Sequence, residues 1–309
     1  MLDLLQERAR VMQMIRAFFL ARDVLEVETP CLSQAGNTDP FIESFCVEHA
    51  GHPGGKRYLH TSPEYPMKRL LAQGSGDIYQ LCKVWRQEEQ GSKHNSEFTM
   101  LEWYRVGMSY EDLMKEVVDL LQDAIPQSSR KPPRFIAYKT LFLEKLSINP
   151  HQARTEDLFA AMVAQNIHVA GELDHGSALD ILMTHIIEPS MDAQRLTVVY
   201  DYPQQQQALS QVVDGVAKRF EVYFAGLELA NGYQELVDAA KNRQVLMADS
   251  TRRESNQQSK IPVDERFLAA LDKGIPACAG VAVGIDRVMM CRLEKKHIED
   301  VISFPWGVA

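Results

Sequence analysis

The sequence predicts an α+β fold in which a mainly antiparallel β-sheet is flanked by helices. Apolar residues recur at helical spacing over residues 2–21 and over residues 110–124. Two strand-like stretches, residues 78–106 and 220–229, each contain a short turn or loop and indicate antiparallel hairpins. The 309 residues show no internal repeat and no linker, so we expect residues 1–309 to form a single domain.

The helices follow from the spacing of apolar side chains. In residues 2–21 the apolar positions share one face of a helix: Leu2, Leu5, Ala9, Met12, Ile15 and Phe19. The segment Tyr110–Ala124 shows the same period, and the run from Ser128 to Pro133 then predicts a loop. Residues 139–185 predict mainly helix, and a last helix is expected from Arg287 to about Lys296.

The strands follow from alternation and from turn residues. Residues 196–200 read Leu-Thr-Val-Val-Tyr and predict a strand bounded by Asp201 and Pro203. A polar loop from Glu89 to Asn95 joins the two strands of the 78–106 hairpin. The polar run from Asp249 to Ser259 predicts a mobile surface loop.

Composition limits the possible classes of protein. No apolar run approaches the roughly 20 residues that span a bilayer, and residues 1–8 do not resemble a secretory signal. The five cysteines are scattered and odd in number, which is typical of reduced thiols in a cytoplasmic protein. A formal net charge of −9 favours a small or basic partner over nucleic acid.

The 78–106 hairpin carries the most informative chemistry. Arg86 and Glu88 share one strand face, and the next strand presents Phe98, Met100, Glu102 and Tyr104 together. A cation, an aromatic ring and carboxylates on one surface suit an anionic nucleotide beside a cationic second substrate. Charges on the solvated face of a half-buried strand are the alternative, which the length of the run disfavours.

A second hairpin predicts a metal site. With Ala225–Gly226 as a two-residue turn, Tyr223 faces Glu228 and Glu221 lies diagonally from Glu228 on the same face. Two converging carboxylates repel unless a cation lies between them, and oxygen ligands select a hard cation such as Mg²⁺. Two solvated strand glutamates are the alternative interpretation.

Just beyond this hairpin, Gly232 predicts the passage of the strand into a helix. Asn231 and Glu235, four residues apart, would then project the same way. An exposed polar helix face is the alternative.

The chain resembles the class II aminoacyl-tRNA synthetases in their lysyl form. Residues 84–88, Val-Trp-Arg-Gln-Glu, followed by 94–104, resemble motif 2. Residues 19–30, ending Glu-Val-Glu-Thr-Pro, resemble motif 1, and residues 280–287, Gly-Val-Ala-Val-Gly-Ile-Asp-Arg, resemble motif 3. Residues 61–64 and 228–235 resemble the amino-acid-binding segments between the motifs. The matches occur in family order, and the resemblance implies an α+β catalytic domain that makes aminoacyl adenylates from ATP.

The resemblance also implies roles for individual residues. Arg86 would contact the α-phosphate and the substrate carboxylate, Arg287 the γ-phosphate, and Phe98 the adenine face. The remaining ATP-binding positions would be Gln87, Glu88 (accepting from the adenine amine), His94, Asn95, Glu228, Leu229 and Gly284, with Glu221 and Glu228 holding Mg²⁺. The amino-acid pocket would comprise Ser62, Pro63, Glu64, Glu102, Tyr104, Asn231 and Glu235. Three carboxylates in one pocket demand a dicationic guest such as a lysine-like diamine.

Two departures from the lysyl enzymes narrow the resemblance. Ala282 replaces the second glycine of motif 3, and motif 1 lies within the first thirty residues, so we expect no anticodon-binding domain. These features resemble the elongation factor P ligases, a family of lysyl-synthetase paralogues. That resemblance implies ATP-dependent activation of (R)-β-lysine or lysine, transfer to elongation factor P rather than to tRNA, and a homodimer. The Ala282 methyl would disfavour an α-amine, although a methyl that points into the core is equally compatible with the sequence.

Three other functions are compatible with the sequence. The chain could be a truncated lysyl-tRNA synthetase that acylates tRNA or another acceptor, or an inactive regulatory paralogue. The presence of Arg86, Glu88, Glu221, Glu228 and Arg287 disfavours inactivity. Synthesis of free amino-acid amides fits less well, because the acidic pocket specifies a diamine.

Overall fold

The structure is a computed structural model that describes residues 2–48, 55–87, 89–169 and 173–309. Its helices are α1 Leu2–Leu20, α2 Glu64–Leu71, α3 Tyr110–Ala124, α4 Tyr138–Leu146, α5 Thr155–Ala164, α6 His175–Leu182, α7 Ala239–Ser255, α8 Glu265–Lys273 and α9 Ile285–Arg292. Its strands are β1 Leu25–Glu26, β2 Leu32–Ser33, β3 Cys46–Glu48, β4 Lys56–Leu59, β5 Ile78–Trp85, β6 Glu97–Val106, β7 Arg134–Ala137, β8 Thr197–Pro203, β9 Val212–Val213, β10 Val216–Phe224, β11 Leu227–Gln234 and β12 Cys278–Gly284.

A large sheet organises the chain in the order β1-β5-β6-β12-β11-β10-β8-β7, with β9 paired to β10. Its central pairs are antiparallel, while β1 with β5 and β7 with β8 are parallel pairs at the two edges. The strands β2, β4 and β3 form a small separate sheet. The predicted α+β fold with a mainly antiparallel sheet is confirmed.

The two faces of the sheet are buried differently. One face packs against α1, α3 and α9 in a core that includes Phe19, Trp103 and Val281. On the opposite face, α4, α5 and α6 cover the β8 and β10 side, and α2, α7 and α8 cover the β5 side. The centre of that opposite face, over β6, β12 and β11, carries the polar residues described below.

The hairpin of β10 and β11 has the predicted turn and register. Ala225 and Gly226 both have positive φ, 52° and 72°, as a two-residue hairpin turn requires. Tyr223 pairs with Glu228, as predicted. A β-bulge follows, so that Val222 pairs with Ala230 and Glu221 lies directly opposite Asn231.

The prediction of a loop at residues 249–259 was wrong for residues 249–255, because α7 continues to Ser255, whereas residues 256–259 lie outside regular structure. The Asp238 side chain caps this helix by accepting from the Lys241 N–H at 2.9 Å. Arg253 is buried and its Nη2 lies 2.5 Å from Glu43 Oε2. This ion pair holds the last turn of a helix whose other residues are mostly polar. Because the helix is held by an ion pair, its sequence lacks the apolar spacing that predicts an amphipathic helix.

Several predicted boundaries also change. β11 stays extended through Gln234 instead of becoming a helix at Gly232, where a Cβ would lie 2.5 Å from Phe220 Cζ. The last helix covers Ile285–Arg292, β8 extends to Pro203, and Pro126–Arg130 forms a 3₁₀ turn. Residues 139–185 are mainly helical as predicted, with 170–172 outside the described residues.

Among the described residues, no helix combines the length and the apolar character that crossing a membrane would need.

Candidate active site

A cavity of about 370 Å³ lies on the sheet face between the two outer groups of helices. Its floor follows the strand register, because Glu102 on β6, Ala282 on β12 and Asn231 on β11 are direct cross-strand neighbours. Most of the residues predicted from the sequence line this one cavity: Ser62, Glu64, Arg86, His94, Asn95, Phe98, Glu102, Tyr104, Glu221, Glu228, Leu229, Asn231, Glu235, Ala282, Gly284 and Arg287.

Three predicted positions are not placed there. Pro63 is buried at the start of α2, where its carbonyl accepts from the Met67 N–H, and it is not among the described lining residues. Gln87 is exposed, its N–H donates to the Glu43 carbonyl at 2.9 Å, and it is not among the described lining residues. Glu88 lies outside the described residues.

Glu102 is the central acid of the cavity and is 3% exposed. Its two oxygens accept from Ser62 Oγ at 2.7 Å and from the Tyr104 hydroxyl at 2.6 Å. Burial and then the charge of Glu64 raise the pKa of Glu102 to about 7, against the effect of the two hydrogen bonds. The position is therefore one where a cationic guest would stabilise the ionised form.

Lys68 is a residue that the sequence-based prediction missed. It is 1% exposed, and its Nζ lies 2.6 Å from Glu64 Oε1 and 2.5 Å from Glu235 Oε2. Burial lowers the pKa of Lys68, but the two carboxylates outweigh burial and the net shift is upward. A signal existed in the sequence, since Lys68 follows Glu64 by four residues in an amphipathic helix.

Gly280 provides the space in which two of the pocket side chains lie. A Cβ at this position would be 2.4 Å from Glu235 Oε1 and 2.5 Å from Tyr104 Cε1. Glycine is therefore the residue that fits beneath these side chains on β12. The sequence contains a signal for this role of Gly280, because small residues alternate along one face of the strand at positions 280, 282 and 284.

The Ala282 side chain lies on the cavity side of β12. Its neighbours Val281 and Val283 are buried in the core on the other face. Ala282 is half-buried and shares the face of Gly280, where a Cβ would meet Glu235 and Tyr104. The alternative that this methyl points into the core is therefore disfavoured.

Arginines occupy the other end of the cavity. The Arg86 guanidinium lies 5.1 Å from the centre of the Phe98 ring, and its Nη1 is 3.4 Å from Glu89 Oε1. Arg287 donates to the Glu228 carbonyl at 2.9 Å and to His94 Nε2 at 2.6 Å.

The contact between Arg287 and His94 needs a neutral imidazole whose Nε2 accepts the hydrogen bond. Burial and the positive charge of Arg287 lower the pKa of His94, so the ring suits that role. His94 thereby fixes the orientation of Arg287.

Asn95 holds the motif 2 loop rather than presenting free polar atoms. Its Nδ2 donates to the Glu97 carbonyl at 2.5 Å, and its Oδ1 accepts from the Trp306 N–H at 2.9 Å. Although Asn95 lines the cavity, its side chain is used to join this loop to the C-terminal segment.

The two predicted metal ligands both face the cavity. Glu221 accepts from Tyr202 OH at 2.6 Å, from Tyr223 OH and from Arg219, so donors fix its orientation. Burial and the charge of Glu221 raise the pKa of Glu228, while Arg287 lowers it. Carboxylate oxygens on one cavity wall are of the type that a hard divalent cation takes, although Glu221 is already paired with Arg219.

The cavity therefore has two ends of different character. When Glu64, Glu102 and Glu235 are ionised, their three negative charges and the positive charge of Lys68 leave a net charge of −2 at one end. The other end has the guanidinium groups of Arg86, Arg219 and Arg287, which lie beside the carboxylates of Glu89, Glu221 and Glu228 respectively. The arrangement suits a substrate with two ammonium groups and a carboxylate, placed beside a polyphosphate.

Comparisons with known proteins agree with this geometry. The family described as class II tRNA synthetases (D, K and N) matches residues 1–307. A relative from Haemophilus influenzae strain PittGG, named elongation factor P–(R)-β-lysine ligase, is 43% identical over 97% of this chain and 94% of its own length. Relatives of the same name from Pectobacterium atrosepticum and Proteus mirabilis are also 43% identical, over 97% of this chain and 94% of their own lengths. The chain belongs to the class II tRNA synthetase family and, within it, to the family of these elongation factor P–(R)-β-lysine ligases.

Proposed function

We propose that the protein is an ATP-dependent ligase that activates (R)-β-lysine as an adenylate and transfers it to a lysine side chain of elongation factor P. The observation that carries the proposal is the pairing, within one cavity, of an acidic end with two net negative charges and an arginine end. The names of the relatives at 43% identity supply the amino acid and the acceptor.

In the first step an oxygen of the amino-acid carboxylate attacks the α-phosphorus of ATP. A new O–P bond forms, and the bond to the β-phosphate oxygen breaks to release pyrophosphate. Arg86 would orient the attacking carboxylate and stabilise charge on the α-phosphate, and Arg287, held by His94, would bind the γ-phosphate. Glu221 and Glu228 would hold Mg²⁺, which supplies positive charge to the phosphates when bound.

In the second step the ε-amine of the acceptor lysine attacks the activated carbonyl. The new C–N bond is an amide, the bond from the carbonyl carbon to the AMP oxygen breaks, and the amine loses a proton. A side-chain nucleophile on the enzyme is not needed, because the adenylate is already the activated form.

The diamine is recognised at the acidic end. We assign its side-chain ammonium to Glu235, Tyr104 and Glu102, and its backbone amine to Ser62 and Glu64. Asn231 would contact the carboxylate, beside the Ala282 methyl that is its cross-strand neighbour. A methyl at this point selects between amines on the α and the β carbon, a choice worth about 1–3 kcal/mol.

An acceptor assay tests the proposal. The enzyme is incubated with ATP, Mg²⁺, (R)-β-lysine and elongation factor P, and intact-mass spectrometry is used to detect one added lysyl group on the acceptor. Parallel reactions replace (R)-β-lysine by α-lysine, or elongation factor P by tRNA. An Arg86→Ala variant serves as the inactive control. Charging of tRNA with no adduct on elongation factor P would refute the assignment and favour a tRNA-acylating enzyme.

We further propose that residues 1–309 act as one catalytic domain, that tRNA is not a substrate, and that the enzyme is a cytoplasmic homodimer. The net charge of −9 weakens attraction to nucleic acid. Five free cysteines are typical of a reducing compartment. Exposed leucines along α1 and the strands after it offer an apolar dimer surface: Leu2, Leu5, Leu20, Leu25 and Leu32. Analytical ultracentrifugation tests the dimer, with a 35 kDa species as the opposing result.

A further inference from the structure

The buried ammonium of Lys68 is not explained by the catalytic roles assigned above. It lies behind the acidic wall, since Glu64 and Glu235 line the cavity and Lys68 is not among the described lining residues. The side chain is as buried as the centre of the core, with the Phe267 ring 6.0 Å from its Nζ. A buried lysine in such a place is costly unless its charge is used.

The ionisable groups around Lys68 come from several elements. Glu64 lies on its own helix, Glu235 follows β11, Glu102 is on β6, and the Tyr65 phenol and the Cys278 thiol complete the set. The carboxylates of Glu64 and Glu235 are the partners in direct contact. Burial raises the pKa of Glu235 to about 8, and the Lys68 charge opposes that rise. Without an internal cation, three neighbouring carboxylates in a buried wall would bind protons instead of staying ionised.

We propose that Lys68 is a positioning residue for the diamine, which holds the Glu64 and Glu235 carboxylates in place through two ion pairs and balances one of the three acidic charges that face the guest. The inference rests on the proposed function in that the guest is a diamine. It does not depend on the acceptor, because the adenylation step can be measured without one.

The first test uses Lys68→Met in amino-acid-dependent pyrophosphate exchange, which needs no elongation factor P. At pH 7 we expect the KM for (R)-β-lysine to rise at least tenfold while the KM for ATP changes less than twofold. The defect should shrink at pH 9, where the remaining carboxylates ionise without Lys68. Lys68→Arg, which keeps the charge, should stay within about threefold of the wild type.

A matched control makes the same substitution in an exposed helical ion pair. Lys115 lies 2.8 Å from Asp112 on α3 with 68% of its side chain exposed, so Lys115→Met should leave both KM values unchanged. If Lys68→Met keeps the wild-type KM for the diamine and the wild-type pH profile, or raises the KM values for ATP and diamine equally, the inference is wrong.

A charge-balanced variant keeps the test decisive if Lys68→Met does not fold. Glu235→Gln alone leaves the acidic end with one net negative charge, whereas Lys68→Met with Glu235→Gln restores two. At pH 9, where the two carboxylates left in the double variant are ionised, it should therefore bind the diamine several-fold more tightly than Glu235→Gln does, measured by the thermal shift that the diamine produces. Weaker binding by the double variant would contradict the charge count. If the enzyme catalyses pyrophosphate exchange with the diamine but does not modify elongation factor P, the assignment of the acceptor is wrong. The exchange measurements on the Lys68 variants still decide the role of Lys68, because they need no acceptor.

Discussion

Replacement of Gly280 by alanine tests whether the acidic end of the cavity is the diamine site. The added Cβ would lie 2.4 Å from Glu235 Oε1 and 2.5 Å from Tyr104 Cε1. Ordinary contacts begin near 3.4 Å, so Glu235 and Tyr104 must each move by about 1 Å. A displacement of that size in a substrate-positioning group costs up to roughly 100-fold, or about 2.7 kcal/mol.

Pyrophosphate exchange measures the effect of Gly280→Ala on each substrate separately. We expect the KM for (R)-β-lysine to rise by about 10- to 100-fold and the KM for ATP to stay within about twofold, because the arginine end is not touched. Gly307→Ala is a neutral control, since a Cβ there meets nothing within 4 Å.

A second substitution on the same strand separates the two ends of the cavity. At Gly284 a Cβ would meet only Arg287 Cδ, at 3.9 Å, so Gly284→Ala fits the empty cavity. Any defect should then appear in the KM for ATP. Equal defects for both substrates in Gly280→Ala, or an unchanged diamine KM in a folded protein, would refute the assignment of the two ends.

Three further results are expected. Glu235→Gln should raise the KM for the diamine by about 10- to 100-fold, because a charged hydrogen-bond partner is lost, and raise that for ATP far less; equal changes would count against this pocket. Ala282→Gly should shift the ratio of β-lysine to α-lysine use by about tenfold toward α-lysine in competitive exchange, and an unchanged ratio would mean that the methyl does not contact the amine. The KM for the diamine should rise as the pH falls from 8 to 6. Burial raises the pKa of Glu102 to about 7, so protonation below that value removes a charge that the ammonium needs; a flat profile would oppose this.

The sequence predicts the two hairpins because strand register follows local rules, whereas most of the cavity lining was predicted from the resemblance to the lysyl enzymes. The turn at Ala225–Gly226 fixes the pairing of Tyr223 with Glu228, and a period of two places Glu102 and Tyr104 on one face. Asn231 and Glu235 were predicted to project to the same side on the assumption that this segment is a helix. The segment is extended instead, and residues four apart in an extended chain also lie on one face.

The failures come from contacts between residues far apart in the sequence. The polar α7 is held in part by the pairing of Arg253 with Glu43, 210 residues away, and no local pattern shows such a pair. The backbone N–H of Gln87, a predicted site residue outside the cavity lining, donates to the same Glu43. Lys68 was not predicted because Glu64 and Glu235 were assigned to the substrate alone, although an internal ammonium balances part of their negative charge.

The Arg253–Glu43 pair gives a distant surface helix an influence on the catalytic chamber. Arg253 also donates to the Asp39 carbonyl, so the end of α7 tethers the segment that carries Asn37 and Ile42, two residues of the chamber wall. Through the Glu43 carbonyl the same tether reaches the backbone beside Arg86. Changes in the last turn of α7, remote from ATP and from the amino acid, would therefore loosen one side of the chamber and slow turnover without altering any group that touches a substrate.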